Sequence, residues 1–354
     1  MQDSPAVLVY PDLVKKNIDM AIAMAGGTAR LRPHAKTHKM AEVTSMLIDA
    51  GITKFKCATI AEAEMLAAAG ARDVLLAYQP TNVKAQRLLS LASAYPSVVF
   101  GYLVDSQESA QALSGLLNTS NLKCWIDVNV GMHRTGVATK GVIELYEFLK
   151  KKPGMEPAGL HAYDGHLHIS DVEERFRIAE GILDEVRSIR NLIEKTYGSK
   201  PALVMGGTPG FPFYAKQPDL DASPGTFVFW DAGYAKMFPD MKFAIAAVIV
   251  TRVISIVSPK LICLDLGHKS VAAEGPLPRV QFPDQSSAKV ISQSEEHMVV
   301  ELPDTSQIHV GDVWTAVPNH ICPTIALYES VNVVEHDNII GQWRVISRDR
   351  KITY

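Results

Sequence analysis

The chain has 354 residues, of which 47% are hydrophobic and 21% charged, and its formal net charge is -3. That length is too great for one small core and calls for a large domain plus a smaller one. The charge balance gives no reason to expect nucleic acid or an anionic membrane surface as a partner. Four cysteines, Cys57, Cys124, Cys263 and Cys322, lie far apart with no C-x-x-C pair. A disulfide-stapled scaffold is excluded by size, and reduced thiols in a cytoplasm are the simplest reading. The N-terminus M-Q-D-S-P-A-V-L-V-Y has no basic start and its apolar run stops at Pro11, so it does not read as a signal peptide. The longest later apolar stretch, around 243–250, falls far short of the roughly 20 residues a bilayer span needs.

From the start to about residue 230, short apolar runs alternate with helical patterns. The predicted strands are 6–10, 30–34, 54–59, 73–78, 97–104, 123–130, 157–163, 202–207 and 226–230. Most are continuous rather than alternating, as parallel strands buried on both faces should be. Between them, the segment A-E-A-E-M-L-A-A-A-G (61–70) follows Thr59 and stops at Gly70, which are helix start and stop signals. The longest helical pattern runs over 170–197. About eight strand–helix units favour a (β/α)8 TIM-type barrel over a doubly wound sheet. Pro11-Asp12-Leu13 after the first strand, in place of G-x-G-x-x-G, weakens the doubly wound alternative further.

After about residue 235 the pattern becomes β-rich, with runs at 248–257, 261–266, 288–293, 297–302 and 313–318 joined by Gly, Pro, Asp and Ser turns. The expected organisation is therefore a barrel over 1–234 and an all-β C-terminal domain over 235–354.

Five clusters could carry chemistry. The first is R-P-H-A-K-T-H-K (32–39), at the end of a barrel strand, where catalytic groups of such barrels gather. A desolvated lysine there, Lys36, would be a usable nucleophile. Taken alone, the octamer reads first as a solvated basic loop. The second is I-D-V-N-V-G-M-H-R-T-G-V (126–137), a strand and a tight turn whose Arg134 could bind a phenolate or carboxylate oxygen; a solvated turn arginine is the plainer reading. The third is L-H-A-Y-D-G-H-L-H (160–168). His161 and Tyr163 share a face of an extended strand, His166 and His168 follow, and the spacing matches no helical zinc motif. The fourth is M-G-G-T-P-G-F (205–211), whose glycines let backbone approach a phosphate and whose Thr208 adds a hydroxyl; S-P-G-T (223–226) could close the same cup. The fifth is P-N-H-I-C-P-T (318–324). There His320 and Cys322, alternating on one strand face, could meet at one ion, with zinc favoured by the His/Cys pair and manganese preferring harder ligands.

In their order, these clusters resemble the D-threonine aldolase and D-serine dehydratase family of fold type III pyridoxal-phosphate enzymes, with alanine racemase a more distant relative. R-P-H-A-K-T-H-K is the most specific part of the resemblance and P-N-H-I-C-P-T the next. The resemblance implies a barrel with a C-terminal β domain, pyridoxal 5'-phosphate held by Lys36, and Arg134 beside the cofactor's phenolic oxygen. It also implies Tyr163 near the ring, a phosphate cup from Gly207, Thr208, Gly225 and Thr226, and a divalent metal, zinc or manganese, on His320 and Cys322. A small D-amino acid substrate and a homodimer are further implications. One departure stands out: racemases set an arginine against the pyridine nitrogen, and the corresponding segment here, D-A-S-P-G-T, offers Ser223 instead.

Two reactions share nearly all these residues. In aldol cleavage, the expected activity, His166 removes the β-hydroxyl proton of a D-β-hydroxy-amino acid, giving glycine and an aldehyde. In dehydration, Lys36 removes the Cα proton, giving a keto acid and ammonia. An amino acid racemase and a non-catalytic pyridoxal-phosphate-binding protein are the remaining alternatives.

Overall fold

The computed structural model describes residues 2–116 and 119–354. The chain forms two compact units, each built from discontinuous segments.

The larger unit takes in 19–36, 43–225 and 349–354. Its parallel strands run in the order Lys54–Cys57, Asp73–Leu76, Val99–Val104, Leu122–Asn129, Pro157–Ala162, Ala202–Met205 and Asp221–Ala222. The short strand Val137–Ala138 pairs with Leu122–Asn129 at the side. Residues 31–34, predicted as a strand, form no regular strand but bridge both edges: Leu31 pairs with Ala222 and His34 with Lys56, both parallel. Ladder hydrogen bonds from Arg32 N to Ala222 O (3.0 Å) and from Lys56 N to Pro33 O (2.8 Å) complete the closure. Counting this segment, eight parallel staves form a closed ring, the expected TIM-type barrel. Connecting helices carry the expected signals. Ile60–Ala68 starts at Thr59, whose side chain accepts from Glu62 N, and Gly70 follows with φ +101°. Val172–Tyr197 starts at Asp171, which accepts from Glu174 N, and stops at left-handed Gly198.

The barrel interior begins with a charge-balanced layer. Arg32, 2% exposed, donates to both oxygens of Asp73 (2.7 and 2.8 Å) and through Nε to Asp221 (3.1 Å). Lys54 Nζ also reaches Asp221, at 2.9 Å. Two cations thus meet two carboxylates, which is what burial of charge requires.

The second unit takes in 1–18, 37–42 and 226–348. Its nine-stranded sheet runs Lys289–Gln293, Met298–Glu301, Leu261–Leu264, Ala247–Ser258, Ala6–Val9, Ser330–Glu335 and Asn338–Arg344, with Val313–Pro318 and Val280–Gln281 off this path. Pairings are antiparallel except for Ala6–Val9 with Ser330–Glu335. Two expectations need correction. The run 6–10, counted among the barrel strands, is a strand of this sheet, hydrogen-bonded to Ala247–Ser258. The run 226–230, also read as a strand, is a 3-10 turn over Thr226–Val228, with Trp230 at φ +54°. An apolar run reports burial, not the partner that buries it.

Among the described residues no helix is long and apolar enough to cross a membrane. All four cysteines are buried and unbridged.

Candidate active site

The barrel's staves deliver the candidate residues to their C-terminal ends. Lys36 follows the first stave, and its own N–H is held by Nδ1 of His34 at 3.2 Å. Arg134 lies in the turn after the fifth stave, and Tyr163 just past the sixth. The structure brings these together: Lys36 Nζ lies 5.5 Å and Arg134 Cζ 5.0 Å from the centroid of the Tyr163 ring. Lys56, on the second stave, adds a third cation, its Nζ 5.3 Å from the same centroid. Sequence reading missed Lys56. The signal was K-F-K in an otherwise apolar strand, since period two turns Lys54 and Lys56 to the same side.

Lys56 is 1% exposed. Its ammonium donates to Gly206 O at 3.4 Å, and no ion pair joins it among the described residues. Burial, with a contribution from the Lys36 charge, pushes its pKa down to about 7, against the pull of Asp164 and Asp127.

The two carboxylates that act on it, Asp127 and Asp164, also serve other groups. Asp127 accepts from Gln79 Nε2 (2.8 Å) and Thr135 Oγ1 (2.8 Å), and meets His161 Nδ1 at 2.8 Å. Burial works to raise its pKa, but these hydrogen bonds hold it below the ordinary carboxylate range. His161 is pushed down by burial despite Asp127. We therefore assign an ionised Asp127 facing a neutral His161 that donates through Nδ1. Its Nε2 is then a buried acceptor with no partner among the described residues. Asp164 Oδ1 accepts the Gly207 N–H at 3.0 Å, and burial raises its carboxyl to about 6.

The glycine loop follows the seventh stave, and the segment 223–225 follows the eighth. In barrels of this kind, loops after strands seven and eight commonly hold phosphate. The two loops are tied by the Gly225 N–H donating to Thr208 Oγ1 at 3.2 Å. Gly207 has a steric role as well: a Cβ there would sit 2.7 Å from Tyr163 Cε2, and one at Gly165 would sit 2.3 Å from the Tyr163 hydroxyl. Ser223 spends its hydroxyl on Arg32 O, at 2.7 Å.

His166 is exposed at the rim, and a Cβ on Gly131 would lie 3.1 Å from its Nε2. Burial and the neighbouring His133 and His168 lower its pKa. His161 is thus interior, whereas His166 and His168 are peripheral.

The second unit holds the His320–Cys322 pair, with one correction to its setting. The strand Val313–Pro318 has ended; His320 caps the short helix Ile321–Ile325, and Cys322 lies in its first turn. Helix start, rather than strand alternation, brings the two side chains into hydrogen-bonding contact. Burial opposes the imidazolium, but Cys322, Glu274 and Asp231 raise His320 to about 9. Glu274 is hydrogen-bonded to Nδ1, which leaves Nε2 for another partner. Thr37 Oγ1 and Thr226 Oγ1 approach Cys322 Sγ at 3.1 and 3.5 Å. Thr226 thus belongs with Cys322 in this unit, whereas Gly225 belongs to the loop pair above. Among the described residues no cluster of three or more His, Cys, Asp or Glu is placed to hold a metal. The pair nonetheless fits one: a histidine oriented through Nδ1 by a carboxylate, and a sulfur within hydrogen-bonding reach of two hydroxyls.

The cradle around Tyr163 fits an anionic aromatic phosphate equally well. Among the described residues three cations converge without a carboxylate paired to any of them and a buried imidazole nitrogen lacks a partner, and two loops sit where such barrels bind phosphate.

A closed parallel barrel with a lysine after its first stave and a glycine loop after its seventh has the arrangement in which such barrels commonly hold a phosphate-bearing ligand. The chain belongs to the alanine racemase N-terminal domain family, whose model matches residues 9–232. A serine dehydratase domain model matches residues 246–334. A 3-hydroxy-D-aspartate aldolase of Paracoccus denitrificans (strain Pd 1222) is 27% identical, covering 98% of this chain and 92% of its own length. The crystal structure of a D-threonine aldolase from Filomicrobium marinum superposes with a TM-score of 0.88 at 24% identity, covering 98% and 96% of the two chains. Two variants of a D-threo-3-hydroxyaspartate dehydratase superpose at 0.83 and 0.85, both at 20% identity, covering 97% of this chain and 95% and 97% of theirs. One has a histidine replaced by alanine. The other has a cysteine two positions further on replaced, in a metal-free form.

Proposed function

We propose that this chain is a lyase dependent on pyridoxal phosphate and a divalent metal, cleaving D-β-hydroxy-amino acids into glycine and an aldehyde. The observation that carries this reading is the convergence of Lys36, Lys56 and Arg134 on Tyr163, above an interior layer whose charges are already balanced. Lys56 is buried, Lys36 half-buried and Arg134 exposed, and a convergence of positive charge around one buried ammonium calls for an anion. The barrel family and the hydroxy-amino-acid lyases named among the similar proteins support the same class.

In this reading Lys36 anchors the cofactor covalently, Arg134 meets its phenolic oxygen, and Thr208 with the Gly225 loop receives its phosphate. The bound cofactor supplies an electron sink for the bond that breaks at Cα. A zinc or manganese ion on His320 and Cys322 would supply Lewis acidity toward the β-hydroxyl. His166 is the group assigned to take the hydroxyl proton when Cα–Cβ breaks. The reading includes a homodimer and a cytoplasmic setting, the first checked by mass in solution.

Dehydration is the second reading, and Cys322 favours it. A similar dehydratase has been studied with a cysteine replaced two positions after a histidine, in a metal-free form, and the same spacing separates His320 and Cys322. In that case Lys36 takes the Cα proton. Product analysis separates the two. Glycine with acetaldehyde from D-threonine establishes cleavage. Keto acid with ammonia from D-threonine or D-serine establishes dehydration. Turnover only between enantiomers would sink both.

A further inference from the structure

The sequence motifs do not account for Lys56. Its ammonium is carried on a barrel strand, fully enclosed, among Lys36, Arg32, Arg134, Asp127, Asp164, His161 and Tyr163. Arg32 is committed to Asp73 and Asp221. Asp127 is committed to His161, Gln79 and Thr135; Asp164 gives Oδ1 to the Gly207 amide, and its buried Oδ2 has no hydrogen-bond partner among the described residues. Lys56 itself keeps a 3.4 Å contact to one carbonyl and forms no ion pair among the described residues. An enclosed amine in that state is costly to keep charged. Replacing it by an apolar residue would relieve the cost, so a strand position occupied by lysine calls for a return elsewhere.

We propose that Lys56 is a positioning residue of the cofactor cradle, the ammonium that balances the charge of the anionic group bound beside Tyr163. The inference rests on the pyridoxal-phosphate reading above and adds a charge partner to it. Without the anion, Lys56 titrates near neutrality, at about 7. An anion held next to it favours the charged form and raises that value. Above pH 7, then, the empty cradle holds a partly neutral amine, and filling it draws a proton from solvent onto Nζ. Proton uptake and binding are linked, so affinity falls as pH rises past the free-cradle value.

The test uses pyridoxine 5'-phosphate, an alcohol that cannot form an imine with Lys36, so Lys36 chemistry does not enter. Calorimetric titration of the full chain at pH 8, in buffers of different ionisation heat, counts the protons taken up. The expected result is net uptake with the wild-type chain. Lys56→Met should lose that uptake, bind about tenfold or more weakly, as loss of a charge-assisted contact predicts, and show a flatter affinity profile between pH 6.5 and 9 on the scale of about two decades of proton concentration. Lys56→Gln serves if the methionine variant does not fold, and the wild-type uptake stands as a measurement on its own. Equal affinity and equal proton uptake in wild type and variant overturn the role of Lys56 alone. Failure of the wild-type chain to bind either pyridoxine phosphate or pyridoxal phosphate overturns the cofactor reading, and the role of Lys56 with it.

Discussion

His161 Nδ1 lies 2.8 Å from Asp127 Oδ1 inside the barrel, and Nε2 of the same ring is buried without a partner among the described residues. The carboxylate fixes the tautomer, so the bare nitrogen is an acceptor aimed into the interior. Asp127→Ala strands three donors at once, on His161, Gln79 and Thr135. A loss of about 3 kcal/mol is expected, from denaturant unfolding at pH 7. The sign with pH follows from a depressed carboxyl: its contribution is present above the ordinary carboxylate range and is lost as pH falls through the folded value. Wild type and variant should therefore converge in stability in acid; a gap that persists there would refute the assignment.

How much of this could be read from the chain depends on the kind of signal. Lys36, Arg134, Tyr163 and the glycine loop sit at stave ends in short motifs that are weak one by one, and the order of those motifs along the chain singled them out. The barrel itself followed from continuous apolar runs with helical patterns between them, one of them bounded by Thr59 and Gly70. The run 6–10 was assigned to the wrong sheet because an apolar strand carries no record of its neighbour, here Ala247–Ser258. Lys56, Asp127 and Asp164 escaped notice because each depends on partners from other staves: Lys36 and Tyr163 for the first, His161 for the second, Gly207 for the third. His320 and Cys322 were found for their spacing, although a helix start rather than a strand face makes the spacing work.

Lys36→Ala should remove the visible absorption of bound cofactor and abolish turnover. Borohydride reduction followed by peptide mass analysis identifies the attachment point in the wild-type chain. Lys56 is the informative competitor, because it shares the Tyr163 ring with Lys36. Label on Lys56 instead of Lys36 would transfer the anchoring role and leave Lys36 as a base.

The cofactor-free chain should show an unusual stability profile from Lys56. Its folded pKa of about 7 lies below the ordinary lysine value of 10.5. Between those values the unfolded chain binds the extra proton, so stability rises with pH across that window. Lys56→Met lacks this slope. It should exceed wild type by as much as about 5 kcal/mol below pH 7 and lose that advantage as pH rises toward 10, on the scale that one pKa unit is worth about 1.4 kcal/mol. Paired denaturant curves at pH 6 and pH 9.5 measure it, and an unchanged difference between them counts against a buried titrating amine.

Gly207→Ala probes the close approach of backbone to ring. The added methyl would lie 2.7 Å from Tyr163 Cε2, so the loop or the ring around which the three cations gather must shift. Overpacking of this kind costs about 1–3 kcal/mol. Cofactor affinity should fall by a similar amount, about tenfold or more. Near-normal affinity would show that the Tyr163 position is not tied to the cradle.

Cys322 is the residue on which the metal assignment turns. Its sulfur is approached by Thr37 Oγ1 and Thr226 Oγ1, the residues that follow Lys36 and Gly225 in the chain, and its neighbour His320 is held through Nδ1 by Glu274. A cationic or metal-bound imidazole beside it favours a thiolate, to which both hydroxyls could then donate. Cys322→Ala should lower bound divalent metal, read by elemental analysis after dialysis, by about 10–100-fold in affinity, while the cofactor's absorption stays as in wild type. Cys322→Asp replaces a soft ligand by a hard one and should shift metal preference from zinc toward manganese. Glu274→Gln, which weakens the hold on Nδ1 without touching the sulfur, should give a smaller loss of the same sign. If metal content and preference were unchanged in both Cys322 variants, the ion, and with it the Lewis-acid step at the β-hydroxyl, would have to be sought elsewhere in the chain.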